Sequence, residues 1–223
     1  MTPPITALGS RYGIQGALGR SVKRAAAGGG WWDLNGTITS CVAAYQPKGA
    51  ASYAASLADL SGTGNNATEG TAPGWDVSYG WSFVGANSQF LKTGIIPTAQ
   101  TYSYFIRYSD LTLAASILFG FRGGTGRVQI QDNGAIYNGT SQLSAGIIPT
   151  SGVIGIAGTD YYEDAVDQGD IPGSWGDALE IYIAARNFST MLNATMKTQA
   201  FAIYNATLTP TQVGLLTTAM AAL

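Results

Sequence analysis

Seven of the 13 acidic residues fall between Asp160 and Glu180. Carboxylates at Asp160, Asp164 and Asp167 are oxygen ligands of the kind calcium takes, and Pro172, Gly173 and Gly176 give the stretch the composition of a long loop. A run of acids serves equally well as a solvated loop, so calcium and plain solvation stand side by side here. Two shorter pairings, Trp75 with Asp76 and Trp175 with Asp177, each set an aromatic ring beside an acceptor in a turn-rich segment. A ring to stack on a sugar and a carboxylate to take its hydroxyls would bind a glycan, while packing in a core or loop is the competing use of each pair.

Other chemistries are closed off by composition. Histidine is absent, which removes Ser-His-Asp and Cys-His nucleophiles and the commonest zinc ligand. The single Cys41 cannot form an internal disulfide and has no His to activate it; beside Val42 and Ala43 it reads as a small buried hydrophobe. Glycoside hydrolysis needs only two carboxylates about 5–9.5 Å apart. Glu180, however, is the sole acid in the predicted strand Leu179–Ala184, and Asp177 precedes that strand. No catalytic residue is assigned, and the chain reads as a non-enzyme.

The elements that must position these residues are short strands. Among 223 residues, 30 glycines and 24 aromatic side chains (12 Tyr, 7 Phe, 5 Trp) suit turns joined by strands and sheets packed face to face. Period-two alternation predicts strands at Cys41–Tyr45, Tyr102–Ser109, Ser116–Phe121, Gly126–Gln131, Ala135–Tyr137 and Gly152–Ala157. It also predicts two brief strands, Trp81–Phe83 and Gln89–Leu91, joined by a tight connection. Gly-Ile-Ile-Pro-Thr occurs at Gly94–Thr98 and again at Gly146–Thr150, each copy reading as a strand end stopped by proline. Near the C-terminus Thr209 can cap, Pro210 takes the first helical position and Gln212 completes a capping box; Val213, Leu216 and Met220 then form one apolar stripe that should cover an edge or end of the sheets.

The sequence Asp59-x-Ser-Gly-x-Gly-Asn-Asn, the Gly85-x-x-x-x-Phe-Leu that follows, and Phe201-Ala-Ile-Tyr-Asn-x-x-Leu-Thr resemble the opening and closing segments of laminin-G-like domains. Those domains belong to the concanavalin A-like lectins and glucanases. The resemblance spans about Cys41 to Met220 and implies an all-β, two-sheet antiparallel jelly-roll sandwich with a short C-terminal helix and an extended N-terminal arm. It implies a fold more than an activity. The Glu-x-Asp-x-x-Glu cluster of the glucanases has no match here.

Residues 1–30 are expected to form a basic, glycine-ending arm and residues 31–223 the sandwich. Of the 11 basic residues, Arg11, Arg20, Lys23 and Arg24 lie in the first 24 residues, with no acid among them. The arm ends in a Gly triplet before Trp31 and Trp32, where adjacent aromatics on a strand would face opposite ways, one into a core and one toward a partner. No secretory apolar core, membrane-spanning run or basic nucleic-acid face is evident. Around Ala43–Ala50 the chain is also similar to structural proteins of tailed bacteriophages. That resemblance implies a virion protein assembled in the host cytoplasm, a capsid decoration or tail component whose arm joins other subunits or copies of itself. The alternative is a carbohydrate-binding module for host-surface glycans, with hydrolysis ranked last.

Overall fold

A computed structural model describes residues 29–223 of the chain; Arg11, Arg20, Lys23 and Arg24 lie outside these residues. Strand-forming alternation is realised in two antiparallel sheets packed face to face. In chain order the elements are β1 (Cys41–Tyr45), α1 (Tyr53–Ser56), β2 (Thr68–Thr71), β3 (Gly74–Asp76), β4 (Gly80–Phe83), β5 (Phe90–Lys92) and β6 (Ser103–Thr112). There follow β7 (Ile117–Arg122), β8 (Arg127–Gln131), β9 (Ala135–Gly139), β10 (Gln142–Ser144), β11 (Gly152–Ala157), β12 (Asp160–Glu163) and β13 (Val166–Asp170). The chain closes with β14 (Tyr182–Ile183), β15 (Thr195–Tyr204) and α2 (Pro210–Ala221). An eight-stranded sheet runs β13-β12-β11-β6-β15-β4-β3, with β1 also paired to β15; a seven-stranded sheet runs β10-β9-β8-β7-β14-β5-β2.

Between the sheets lies an aromatic core. Tyr104, Ile106 and Tyr108 of β6, Phe119 and Phe121 of β7, and Phe201 and Ile203 of β15 are all buried in it. Phe119 and Phe201 meet edge to face at 5.2 Å, and Tyr45, Trp81 and Phe83 form a second run of rings at 6.0 and 6.4 Å. Burying each such side chain contributes about 1.5–3 kcal/mol, so this layer dominates stability. Trp81 keeps its polar edge satisfied by donating Nε1–H to Ser56 Oγ at 2.8 Å.

A second apolar layer lies on the outer face of the eight-stranded sheet. Phe105, Val153, Ala200, Ala202 and Tyr204 alternate with the inward residues and meet Val213, Leu216 and Met220 of α2. The helix therefore covers a sheet face, where the sequence had suggested an edge or end. Its start is as predicted: Thr209 Oγ1 accepts from Gln212 N, and the Gln212 side chain accepts from Thr209 N at 2.9 Å.

Three local expectations change. Trp81–Phe83 and Gln89–Leu91 do lie on strands, but β4 belongs to one sheet and β5 to the other, so the turn between them is a crossing and not a hairpin. The acidic stretch is not one long loop, because β12 and β13 pair antiparallel from Asp160↔Asp170 to Glu163↔Val166. Trp31 and Trp32 occupy turns, not a strand; they meet edge to face at 5.9 Å and both pack on the outer layer. Trp31 Nε1–H donates to Gln46 Oε1 at 2.9 Å, and the Trp32 carbonyl accepts from Tyr204 Oη–H at 2.9 Å.

Candidate functional site

The Asp59 signature turns out to organise a loop. Asp59 Oδ1 accepts from the N–H groups of Ala44 (3.0 Å) and Ser61 (2.9 Å), and Oδ2 accepts from Ser61 Oγ, Thr63 Oγ1, Gly64 N and Asn65 N at 2.8–3.1 Å. Burial opposes ionisation, but the Ala44 and Ser61 amides and the Ser61 and Thr63 hydroxyls outweigh it and hold the carboxyl below its usual pKa. Cys41 is the opposite case: burial, aided by the Asp59 charge, pushes its thiol up to about 12. It stays a protonated, weakly nucleophilic group at neutral pH.

The sequence-derived site residues are scattered. Trp75 and Asp76 sit on β3 in the eight-stranded sheet; the indole packs on the intersheet core and donates Nε1–H to the Pro47 carbonyl at 2.9 Å. Asp76 accepts from the Ser78 hydroxyl and amide, which lower its pKa. Trp175 meets Phe121 edge to face at 6.3 Å, and Asp177 lies against the β7–β8 turn, its amide donating to Thr125 Oγ1 at 3.2 Å. Asp160 is pushed up by burial and by the charges of Asp167 and Asp170, so these acids are near one another. Asp164 sits at the β12–β13 turn and accepts from Val153 N at 2.8 Å; Asp167 accepts from Gly169 N at 2.9 Å. Among the described residues, no three acidic or Cys side chains gather in a way that would hold a metal ion.

Strand register brings together a different set. Gln142 pairs with Tyr137, Tyr137 with Gln129, Gln129 with Gly120, Gly120 with Tyr182, and Tyr182 with Lys92. Directly paired residues share a face, so these form one row across the outer side of the seven-stranded sheet, opposite Ile136, Val128, Phe121 and Ile183 of the core. Tyr137 and Tyr182 are half-buried and stand three strands apart, about 14 Å at the usual strand spacing. Tyr137 Oη–H donates to Gln142 Oε1 at 2.6 Å, and Tyr182 stacks on Phe90 at 4.8 Å, which fixes both rings. Between them Gln129 and Gly120 are both buried, and only glycine fits at 120, where at a φ of +141° a Cβ would run into the Val128 carbonyl.

Beside the row, Arg122 pairs with Arg127 across β7 and β8. The chain turns back at Ala184, whose φ is +64°, and brings Asn187 alongside β7; Asn187 N–H donates to the Gly120 carbonyl and its own carbonyl accepts from Arg122 N, both at 3.1 Å. That fold-back delivers Arg186 and Phe188. The guanidinium carbons of Arg122 and Arg186 lie 4.9 and 5.4 Å from the Phe188 ring centre, and that of Arg127 lies 4.7 Å from the Tyr137 ring centre. None of these residues was singled out from sequence. Arg127 and Tyr137 showed in the sequence only as outward positions of GRVQIQ and AIY, which alternate with core residues, and Arg122, Arg186 and Phe188 come beside them only through the β7–β8 pairing and the fold-back.

The outer face of the other sheet carries a cavity of about 380 Å³ lined by Lys48, Arg107, Asp164 and Gln199 among others. Its groups are partly spent on structure: Arg107 donates to the Met220 carbonyl at the end of α2, and Gln199 donates to Ser109 Oγ at 2.9 Å.

No protein-family model matches the chain, and no curated protein matches it in sequence. Solved structures do. The chain is similar to domain 4 of an extracellular arabinanase from Geobacillus stearothermophilus, in complex with arabinotriose, at 15% identity and a TM-score of 0.58 over 79% of this chain and 98% of that one. The fold is a lectin-like jelly-roll sandwich. It is also similar to the binding domain of botulinum neurotoxin DC in complex with SialylT, at 12% identity and a TM-score of 0.54 over 81% of this chain. A third likeness is to Trypanosoma rangeli sialidase, at 13% identity and a TM-score of 0.54 over 82% of this chain. The chain spans 51% of the neurotoxin domain and 33% of the sialidase, and the likeness is one of fold.

Proposed function

We propose that this chain is a non-catalytic carbohydrate-binding sandwich that takes an oligosaccharide across the outer face of its seven-stranded sheet. The observation that carries the reading is the row Gln142–Tyr137–Gln129–Gly120–Tyr182–Lys92, in which two braced, partly exposed rings stand on either side of buried Gln129 and Gly120, with the exposed amide of Gln142 beyond Tyr137 and Lys92 beyond Tyr182. Aromatic rings supply apolar area for sugar faces at small entropy cost, and amides and cations take the hydroxyls. Support comes from fold neighbours described with arabinotriose and SialylT bound. The same face would serve a virion component in contact with host-surface glycans, a setting suggested by the sequence around Ala43–Ala50 and by the basic arm.

Calorimetric titration of the full chain with a panel of neutral and charged oligosaccharides tests the reading. Tyr137→Ala and Tyr182→Ala are each expected to weaken the best ligand by about tenfold, the loss of one stacked ring. Unchanged affinity in both variants, with folding intact, would move the site off this face.

A further inference from the structure

Among the described residues, no carboxylate forms an ion pair with the arginines beside the row. Among the described residues one ion pair occurs, Lys197 to Asp110 at 2.7 Å, far from this cluster in the other sheet. Arg186 is 7% exposed, and burial first, then the charges of Arg122 and Arg127, hold its pKa below the usual arginine value. Residues 1–28 contain no Asp or Glu that could supply a counter-charge. Asp177 borders the β7–β8 turn and forms no ion pair with either strand's arginine.

Three like charges held together cost free energy unless something repays it. The rings of Phe188 and Tyr137 repay part, since guanidinium groups stack favourably on aromatic faces. Stacking uses the flat face of a guanidinium and leaves its N–H edge available, and that edge matches the paired oxygens of a carboxylate or sulfate. Among the described residues, the partly exposed Arg122 and Arg127 form no side-chain hydrogen bond, while the buried Arg186 gives Nε–H to the Thr190 carbonyl at 3.1 Å and has only its terminal N–H groups left to offer. The β7–β8 pair and the fold-back at Ala184 place all three beside Tyr137, so an anion bound by them would belong to a sugar whose ring reaches the row.

We propose that Arg122, Arg127 and Arg186 form an anion subsite of the carbohydrate face, selecting oligosaccharides that carry a carboxylate or a sulfate. This rests on the carbohydrate reading above. Phe188 positions two of the guanidinium groups, and Tyr137 positions the third.

The test is calorimetric titration of the full chain with sialyllactose, an oligogalacturonate and a sulfated disaccharide, each beside its neutral counterpart. Binding of at least one charged probe is expected to exceed its neutral counterpart by about tenfold, as one bidentate charge-assisted contact would give, and to weaken as salt is raised. The carboxylated and sulfated arms show which anion is preferred. Arg122→Gln and Arg186→Gln should each erase most of that preference while leaving neutral-sugar affinity unchanged, and Arg127→Gln, which leaves the Phe188 contacts intact, provides an independent variant. Substitution of Arg11, Arg20, Lys23 and Arg24 together should leave the preference in place; loss of the preference there, with the sheet variants unaffected, would overturn the subsite. Equal binding of charged and neutral probes would overturn the subsite and leave the carbohydrate reading standing. Absence of binding by every probe, neutral ones included, would overturn both.

Discussion

At the scale of single residues, charges are used here mainly as local organisers. Asp59 gathers its loop through six hydrogen bonds, so Asp59→Ala, which leaves those donors unmet, should cost about 2–3 kcal/mol in denaturant unfolding. Its folded-state pKa is depressed, so the contribution is complete above the ordinary carboxylate value and lost as pH falls through the folded value. The stability gap between the protein and its Asp59→Asn variant should therefore narrow between about pH 5 and pH 2. Asp160 behaves in reverse. Burial and the Asp167 and Asp170 charges raise its pKa, so its ionised form opposes folding and stability falls as pH rises through its titration. Asp160→Asn should raise stability at pH 7 by about 0.5 kcal/mol, the relief of a like-charged cross-strand pair; a calcium-dependent loss of stability in that variant would instead show a bound cation.

At the scale of elements, long alternating strands and the helix cap were legible in the sequence, and strand order was not. Cys41–Tyr45 and Gly152–Ala157 match their predicted bounds, because an inward residue at every second position leaves few alternatives. The strand predicted over Leu179–Ala184 is realised only as the two residues of β14, and β12–β13 is concealed by its run of acids, of which Asp167 and Asp170 are exposed. The two Gly-Ile-Ile-Pro-Thr copies show how context overrides sequence: Ile95 is buried and Ile96 exposed in the first, whereas Ile147 is exposed and Ile148 buried in the second. For α2 the stripe was evident, but its target depends on which sheet face lies beneath it. Leu216 is wholly buried on that face, so Leu216→Ala should cost about 2–4 kcal/mol; a cost below about 1 kcal/mol would mean the helix only borders the sheet.

At the scale of the whole molecule, two sheets divide the work. The eight-stranded sheet buries both faces, one on the aromatic core and much of the other beneath α2 and the Trp31–Trp32 turn. The seven-stranded sheet buries one face and turns Tyr137, Tyr182 and the arginine pair of β7 and β8 outward. A row that crosses six strands from β10 to β5 cannot be read from a linear sequence, since its members come together only through register. The tryptophan–acid pairs were visible because each lies within two residues of chain, whereas the members of the row are separated in sequence and meet only across strands. The measurement that tests the central claim most directly is backbone amide NMR of the full chain during titration with a bound oligosaccharide. Shift changes should concentrate on Tyr137, Gln142, Tyr182 and Lys92, with Arg122, Arg127 and Arg186 joining when the sugar is charged. Changes confined to the Lys48–Arg107–Gln199 cavity, or to the Trp75 and Trp175 segments, would contradict it.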